Sequence, residues 1–324
     1  MNRNKLSIVL GLALMIAFVA SCDDVEPLNP NKSTPTYTDI DAYFADNEVS
    51  SETFQLTAET GGSFTTAKGS KITIPPYSFV TRTGQNVTGP VEFKFKEVFS
   101  NSDIIFSGVF PISHGHVLNS GGEFYTEAKS NGQKVLIRDG QPINIVIPAQ
   151  AEDPGMMLFF GGEEENPDSM DWEVADVDTV QGDSMFGRNG FTFNSADKTY
   201  SIDTDSMGWG NIDAFDWTIK YFDCVFNLTG LDGLSGENTT AFAVFKDANA
   251  VWPVGVRGWG DITDNVITER HLGAVAMNLV VISVKDGELY YGLLDFTPEE
   301  GKSYDIEMKP TTKDDLDTLI RSFE

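Results

Sequence analysis

The amino-acid sequence predicts an all-β protein with two or three tandem antiparallel β-sandwich-like units and a short C-terminal helix. Phe is unusually common, at 23 of 324 residues, and runs with the 3.6-residue period of a helix are scarce. Both observations favour strands. Residues 91–98 alternate apolar and polar side chains, as a half-buried strand does. Similar short segments, separated by turn residues, follow along the chain at a spacing typical of sandwiches.

The first 21 residues predict a removable lipoprotein signal peptide. Residues 2–5 include two basic side chains, residues 6–20 are apolar or small, and Val-Ala-Ser-Cys at 19–22 resembles the lipobox cleaved by lipoprotein signal peptidase. The apolar run is shorter than the roughly 20 residues that a membrane-spanning helix needs. An ordinary secretory signal with an incidental cysteine is the alternative. We expect lipidation of Cys22 to anchor the protein to a membrane.

Residues 22–51 are expected to hold the lipidated cysteine and a tether. The stretch after Cys22 is polar, contains Pro27, Pro30 and Pro35, and has no periodicity, which indicates an extended linker. Residues 39–46 predict one or two helical turns before the first strand.

Residues 52–150 are expected to form the first β-sandwich. Gly61-Gly62 and Ser130-Asn131-Gly132 mark turns between alternating segments. The predicted strands cover residues 53–58, 71–74, 87–98, 123–128, 135–137 and 143–148.

Residues 151–222 are predicted to be a β-rich middle segment, and residues 223–324 a C-terminal β-sandwich with the terminal helix. Lys285-Asp286-Gly287 marks a hairpin turn. Thr312 is expected to cap the helix, with Asp315 three residues further on. The predicted strands of the last unit cover residues 224–228, 240–245, 274–284, 289–296 and 304–308.

Two resemblances accompany this pattern. Gly61-Gly62, Ile-Thr-Ile-Pro-Pro-Tyr-Ser-Phe at 72–79 and the strand at 91–98 resemble the β-sandwich domain shared by zona occludens proteins, netrin receptors and ankyrins. Bacteroidetes lipoproteins of unassigned function are more closely similar, and the similarity rests on residues 105–108 (Ile-Phe-Ser-Gly), 120–125 (Ser-Gly-Gly-Glu-Phe-Tyr), 131–133 (Asn-Gly-Gln) and 208–215 (Gly-Trp-x-Asn-x-Asp-x-Phe).

One activity of the domain family is not implied here. Some of its members cut themselves at a His-Phe-Ser site. In this chain Phe99-Ser100 follows Val98, and Phe106-Ser107 follows Ile105, so the histidine is missing.

The resemblance to Bacteroidetes lipoproteins implies an outer-membrane location. Asp23-Asp24 directly follow Cys22, and acidic residues at this place resemble the surface-export signals of those lipoproteins. In enterobacteria an Asp at this place instead implies retention in the inner membrane. We expect the body of the protein to be exposed at the cell surface.

The amino-acid composition argues against one class of binding partner, nucleic acids. The net charge is −27, and nucleic-acid binding needs clustered Lys and Arg, so we expect no nucleic acid. The cysteines are Cys22 and Cys224. With Cys22 lipidated, Cys224 has no disulfide partner, and its apolar surroundings predict a small core residue.

Two groups of residues are candidate metal ligands. His114-Gly115-His116 with the distant His271 offers three imidazoles, but exposed loop histidines are the more ordinary interpretation. Residues 203–208 begin like a calcium loop, but the EF-hand pattern fails at Met207 and Ala214. An irregular calcium site using Asp203, Asp205, Asp213 or Asp216 is the alternative to turn residues. We expect no metal and no cofactor.

Tryptophan suggests two further roles. Trp209, Trp217, Trp252 and Trp259 could stack on a sugar, although packing in a core or interface is the commoner use of Trp. We predict that Trp209 is buried where the first sandwich meets the second. Asn211 and Asp213 would tie down the adjoining backbone. These three are the candidate ligand or interface residues.

The sequence contains no recognisable catalytic motif, so we expect no enzyme and name no catalytic residues. The leading expectation is a non-enzymatic outer-membrane lipoprotein that acts as a surface binding or structural module, with the membrane and another surface protein or a glycan as partners. The alternative is an accessory glycan-binding lipoprotein of a nutrient-uptake system. A hydrolase that uses unrecognised carboxylates comes last.

Overall fold

The computed structural model describes residues 36–167, 170–175, 189–215, 219–255 and 260–323. In these residues the chain folds into two β-sandwich-like units, so the predicted all-β class and short C-terminal helix are confirmed. The predicted signal peptide, Cys22 and residues 23–35 lie outside the described residues. Contacts join the two sandwiches into one compact unit.

The first sandwich pairs a long sheet with a shorter one. In chain order the elements are α1 (Ile40–Asp46), β1 (Ser51–Thr57), β2 (Gly62–Thr65), β3 (Lys71–Ile74), β4 (Phe79–Val80), β5 (Pro90–Val98), α2 (Asn101–Ser107), β6 (Ile112–Ser113), β7 (His116–Ser130), β8 (Gln133–Lys134), β9 (Leu136–Ile137), β10 (Ile143–Pro148), β11 (Met157–Phe160), β12 (Glu173–Val174), β13 (Asn189–Asn194), β14 (Thr199–Thr204) and β15 (Gly208–Phe215). The long sheet has the order β1-β5-β7-β15-β11-β12, and the shorter sheet has the order β13-β14-β10-β3-β2.

The middle segment belongs to the first sandwich. The sequence predicted residues 151–222 to be a segment separate from the first sandwich. In the structure, β15 pairs antiparallel with β7 in the long sheet. In the same way β14 pairs with β10 in the shorter sheet. Local periodicity identifies strands but not their partners, because a pairing across tens of residues leaves no local pattern. The first sandwich therefore extends to Phe215.

The second sandwich packs two sheets against each other. Its elements are β16 (Tyr221–Thr229), β17 (Thr239–Phe245), β18 (Val251–Val254), β19 (Gly260–Thr263), β20 (Val266–Gly273), β21 (Met277–Lys285), β22 (Glu288–Phe296), β23 (Ser303–Glu307), β24 (Lys309–Thr311) and α3 (Lys313–Arg321). One sheet has the order β19-β20-β16-β23, and the other has the order β18-β17-β21-β22-β24. Strand β23 runs parallel to its neighbour β16. Strands β16, β17, β21, β22 and β23 were predicted from the sequence, and β18, β19, β20 and β24 were not.

The helices are short and capped. Thr312 accepts the backbone N–H of Asp315 at the start of α3, as predicted, and Leu316 and Ile320 are buried. Helix α2 was not predicted, although Ser100 and Asp103 form a complete capping box at its start. Among the described residues, no helix is both long and apolar enough to cross a membrane.

Sheet A, as we call the long sheet, is covered on both faces. Phe124 and Ile212 point into the core between the two sheets of the first sandwich. Tyr125 and Trp209 point the other way, into a core that is continuous with that of the second sandwich. This shared core places sheet A at the junction, where the candidate residues lie.

Candidate functional site at the junction of the sandwiches

A β-bulge in β7 shapes the site. Asn211 lies opposite Glu123, but Asp213 lies opposite Ser120, so β7 holds one extra residue at Gly121-Gly122. Gly122 has a φ of 135°, a conformation that side chains rarely adopt. A Cβ on Gly121 would come within 2.8 Å of the Ile212 carbonyl oxygen. The Gly-Gly pair of the Ser-Gly-Gly-Glu-Phe-Tyr motif is therefore required by the backbone, and the bulge sets the direction of Glu123.

Two carboxyl groups are fully buried beside this bulge. Glu123 and Asp213 are both 0% exposed. The Asn211 amide donates to Oδ2 of Asp213 at 2.5 Å, and Ser120 Oγ donates to Oδ1 of Asn211 at 3.1 Å. Among the described residues, Oδ1 of Asp213 and both carboxyl oxygens of Glu123 have no hydrogen-bond partner.

Burial raises the pKa of both carboxyl groups. It raises the pKa of Asp213 to about 8 and outweighs the nearby hydroxyl of Ser120, the amide of Asn211 and the backbone N–H of Gly121. Burial, together with repulsion from Asp213 and Asp103, raises the pKa of Glu123 well above its ordinary value. A neutral carboxyl group costs far less to bury than a charged one.

Asn249 connects the second sandwich to the same place. It lies in the loop between β17 and β18, and its side-chain amide donates to the carbonyl oxygens of Phe99 at 3.1 Å and Ser120 at 3.0 Å. The backbone N–H of Asn249 donates to Oδ1 of Asn119 at 3.1 Å. The Ser120 N–H donates back to the Asn249 carbonyl at 3.0 Å. Four hydrogen bonds thus fix this loop to sheet A and its neighbouring segment.

Two clefts are lined in part by residues of the Asn249 loop. The first has a volume of about 320 Å³ and is lined by both sandwiches, with Asp153 and Asp247 among mostly apolar side chains. The second has a volume of about 710 Å³ and is lined by several carboxamides. The clefts share lining residues, and we call them together the junction groove. The residues that they share are Asn119, Phe245, Asp247 and Ala248.

The expected burial of Trp209 is confirmed. Its side chain is 1% exposed, and its indole N–H donates to the Glu164 carbonyl at 2.9 Å. It packs against Tyr125 and Trp172, with ring centroids 5.5 and 6.4 Å away. Trp252 is also buried, at 2% exposed. Neither ring offers a face for sugar stacking, and Trp217 and Trp259 lie outside the described residues.

His114, His116 and His271 do not come together as one metal-binding group. His114 has a φ of 51° and lies in the two-residue loop between β6 and β7, so it does not alternate with His116 along a strand. It is exposed, as the more ordinary interpretation expected. His116 instead lies 6.4 Å from His271, measured between ring centroids, and Tyr221 stacks on His271 at 3.9 Å.

The aspartates that are candidate calcium ligands also lie apart from one another. Asp203 lies in β14 and accepts a hydrogen bond from Asn144 at 2.9 Å, whereas the buried Asp213 lies in β15 of the other sheet. Asp216 lies outside the described residues. No three acidic side chains from this set meet at ligand distance in the described part of the chain.

Ser120 and Asn249 were not predicted to form one hydrogen-bond network with Asn211 and Asp213. The Ser-Gly-Gly-Glu motif was visible in the sequence, but only the structure shows that its glutamate is buried close enough to Asp213 for the two carboxyl groups to repel each other. Comparison with known proteins found no family model that matches the chain and no significant match among curated proteins. The function must therefore be argued from this geometry.

Proposed function

We propose that this protein is a non-enzymatic outer-membrane lipoprotein, anchored through Cys22 and exposed at the cell surface, that acts as a binding or structural module. The observation that carries the proposal is the junction itself. The four hydrogen bonds at Asn249 and the shared hydrophobic core hold the second sandwich against sheet A of the first, with a groove between the two sandwiches. A rigid groove at a domain junction is a common place for a ligand or a partner.

The position of the acidic residues supports a non-enzymatic role. A glycosidase needs two carboxyl groups in a cleft beside its substrate. Glu123 and Asp213 have the raised pKa values that catalytic acids show, but both are 0% exposed and line neither cleft of the groove. Their burial between the sandwiches fits a structural role.

Crosslinking on living cells tests the binding role. A photoreactive amino acid at Asp247, inside the groove, is expected to give a discrete adduct with a surface partner. The same probe at Glu237, an exposed residue that lines neither cleft, is the matched control. Ala248→Trp should fill the groove and abolish the adduct at 247. Equal adducts at both positions, or no adduct at 247, would contradict the proposal.

The carboxamides of the second cleft favour glycan binding as a second candidate. Asn101, Asn119, Gln150, Asn249 and Asn278 line this cleft, and neutral amides suit the hydroxyl groups of a sugar. Calorimetry with soluble oligosaccharides tests this alternative, with Asn278→Ala expected to weaken binding. Release of shortened oligosaccharides would instead favour the hydrolase, with Asp153 and Asp247 as the carboxylates to replace.

The anchor is tested separately from the groove. Lipidation requires the thiol of Cys22, so Cys22→Ala should leave an unprocessed precursor that takes up no fatty-acid label. Cys224→Ala is the matched control and should be labelled like the wild type. Label retained on the Cys22→Ala protein would rule out the anchor.

Protease treatment of intact cells tests the surface location. The body should be removed while a periplasmic marker protein stays intact. Replacing Asp23-Asp24 with Asn-Asn should reduce exposure if these residues form the export signal. Complete protection of the wild-type body would contradict surface display.

A further inference from the structure

A histidine and two carboxylates meet at the surface near the β6–β7 loop. One ligand atom each from His114, Asp171 and Glu173 lies within 4.8 Å of the other two. His114 Nε2 is 3.5 Å from Glu173 Oε1. Ligand atoms around a tetrahedral zinc lie roughly 3.3 Å apart, because the bonds are about 2.0–2.2 Å long. The distance between His114 and Glu173 is therefore already close to the spacing that such an ion requires, and the Asp171 carboxylate lies within 4.8 Å of both.

A buried tryptophan holds the two carboxylates in place. Trp172 lies between Asp171 and Glu173 and is 0% exposed. Its indole N–H donates to the Phe110 carbonyl at 2.9 Å, and its backbone N–H donates to the Ile112 carbonyl at 3.1 Å. With the middle residue fixed inward, the side chains on either side point outward together. The carboxylates are thus positioned by the core rather than by a free loop.

Contacts with Asp171 and Ser113 also hold His114 in place. Its backbone N–H donates to Asp171 Oδ1 at 2.7 Å, which leaves Oδ2 of Asp171 for a ligand. Its Nδ1 lies 3.1 Å from the hydroxyl of Ser113, a side chain that is 1% exposed. A partner on one ring nitrogen orients the imidazole so that the other nitrogen can bind a metal. Here that other nitrogen is the one that faces Glu173.

We propose that His114, Asp171 and Glu173 form a binding site for a divalent transition-metal ion, with zinc as the best fit. An imidazole ligand favours zinc over calcium or magnesium, which prefer oxygen ligands alone. Three protein ligands leave a fourth position open, as in zinc sites that bind a further small ligand. A cleft of about 280 Å³, lined by His114, Asp171, Trp252 and Pro253 among others, adjoins the cluster. It gives that open position room for a small anion or water.

Calorimetric titration with Zn²⁺ tests the site. The full chain is used in detergent with Cys22→Ala, which removes a competing thiol, and without a polyhistidine tag. One equivalent of Zn²⁺ is expected to bind, and a large excess of Ca²⁺ should not displace it. His114→Ala and Glu173→Gln should each weaken binding by more than about 100-fold, since the loss of an outer-shell partner alone costs about 10–100-fold. Ser113→Ala should weaken it by about 10-fold.

Glu237→Gln removes the same charge at another exposed carboxylate and should bind Zn²⁺ like the parent. A second measurement guards against misfolded variants: Zn²⁺ should raise the melting temperature of the parent and of Glu237→Gln, but not of His114→Ala. Absence of saturable binding, displacement by Ca²⁺, or an unchanged affinity in His114→Ala would overturn the proposal. Loss of binding in His116→Ala alone would move the site to the His116 and His271 pair and overturn it equally.

Discussion

Ser120 and Asn249 hydrogen-bond each other in both directions across the junction. The Ser120 N–H donates to the Asn249 carbonyl at 3.0 Å, and the Asn249 amide donates to the Ser120 carbonyl at 3.0 Å. Ser120 Oγ also donates to Asn211, which in turn donates to Asp213. Ser120 of sheet A therefore links the second sandwich to the buried carboxyl group of Asp213 in the first.

Asn249→Ala should lower the free energy of unfolding by about 1–3 kcal/mol. The change removes both side-chain hydrogen bonds of Asn249, each worth about 0.5–1.5 kcal/mol, and leaves the Phe99 and Ser120 carbonyls without that donor. Urea unfolding measures the loss. Asn227→Ala, which removes an exposed bond to Asp305, should cost less than about 0.5 kcal/mol. Equal losses in both variants would contradict a special role for Asn249.

Stability should fall as the pH rises from about 4 to about 8 and should level off above that range. The folded-state pKa of Asp213 is raised to about 8, above its unfolded value of about 3.9. The folded state therefore binds the proton more tightly, and the stabilisation is full below pH 4 and is lost as the pH rises through about 8. The slope can reach about 1.4 kcal/mol per pH unit. Asp213→Asn, which keeps the shape without the charge, should flatten it in urea melts at several pH values. Parallel pH profiles for the two proteins would contradict this assignment.

Trp209→Ala should cost about 3–5 kcal/mol of stability, because the indole is buried and loses its partners Tyr125 and Trp172. Thermal melts give the measurement. Tyr77→Ala, at a residue that is 50% exposed, should leave the melting temperature nearly unchanged. A wild-type melting temperature for Trp209→Ala, combined with lost glycan binding, would favour the glycan-binding alternative instead.

Lys96→Ala should cost about 1.5–3 kcal/mol, since the Lys96 side chain is 1% exposed and pairs with Glu48 at 3.1 Å and Glu165 at 3.3 Å, whose own side chains are 46% and 25% exposed. Although burial raises the pKa of Glu165, hydrogen bonds from Lys94 and Ser51 and the charge of Lys96 lower it to about 2. Lys198→Ala, which breaks an exposed pair with Glu152, should cost less than about 1 kcal/mol in the same denaturant titration. A loss below about 1 kcal/mol for Lys96→Ala would show that the ion pairs of this buried lysine add little stability.

Local features were predictable where neighbouring residues decide them. Asn131-Gly132 and Asp286-Gly287 have the positive φ angles that two-residue hairpin loops need, and both are turns as predicted. The cap at Thr312 follows from three adjacent positions in the same way. The capping box formed by Ser100 and Asp103 is an equally local signal, so helix α2 could also have been predicted from the sequence.

Features that depend on distant residues were not predictable. Asp213 lies in a stretch rich in turn residues, and only its pairing with β7 explains why it is buried. His114 and Asp171 are 57 positions apart and meet because Trp172 packs beneath the β6–β7 loop. Such meetings depend on strand order, which a single sequence does not encode locally.

The pairing of β15 with β7 has a consequence for how the chain folds. The first sandwich cannot close when residue 150 has emerged, because β7 and β10 still lack β15 and β14 as neighbours. Closing it brings together segments about 80 positions apart, and contacts of such high sequence separation slow folding. Until residues 199–215 have emerged, β7 and β10 each have an unpaired edge that can pair with another chain. Strand β7, which carries Ser120 and Glu123, is therefore the strand whose pairing is completed late and whose edge stays exposed during synthesis.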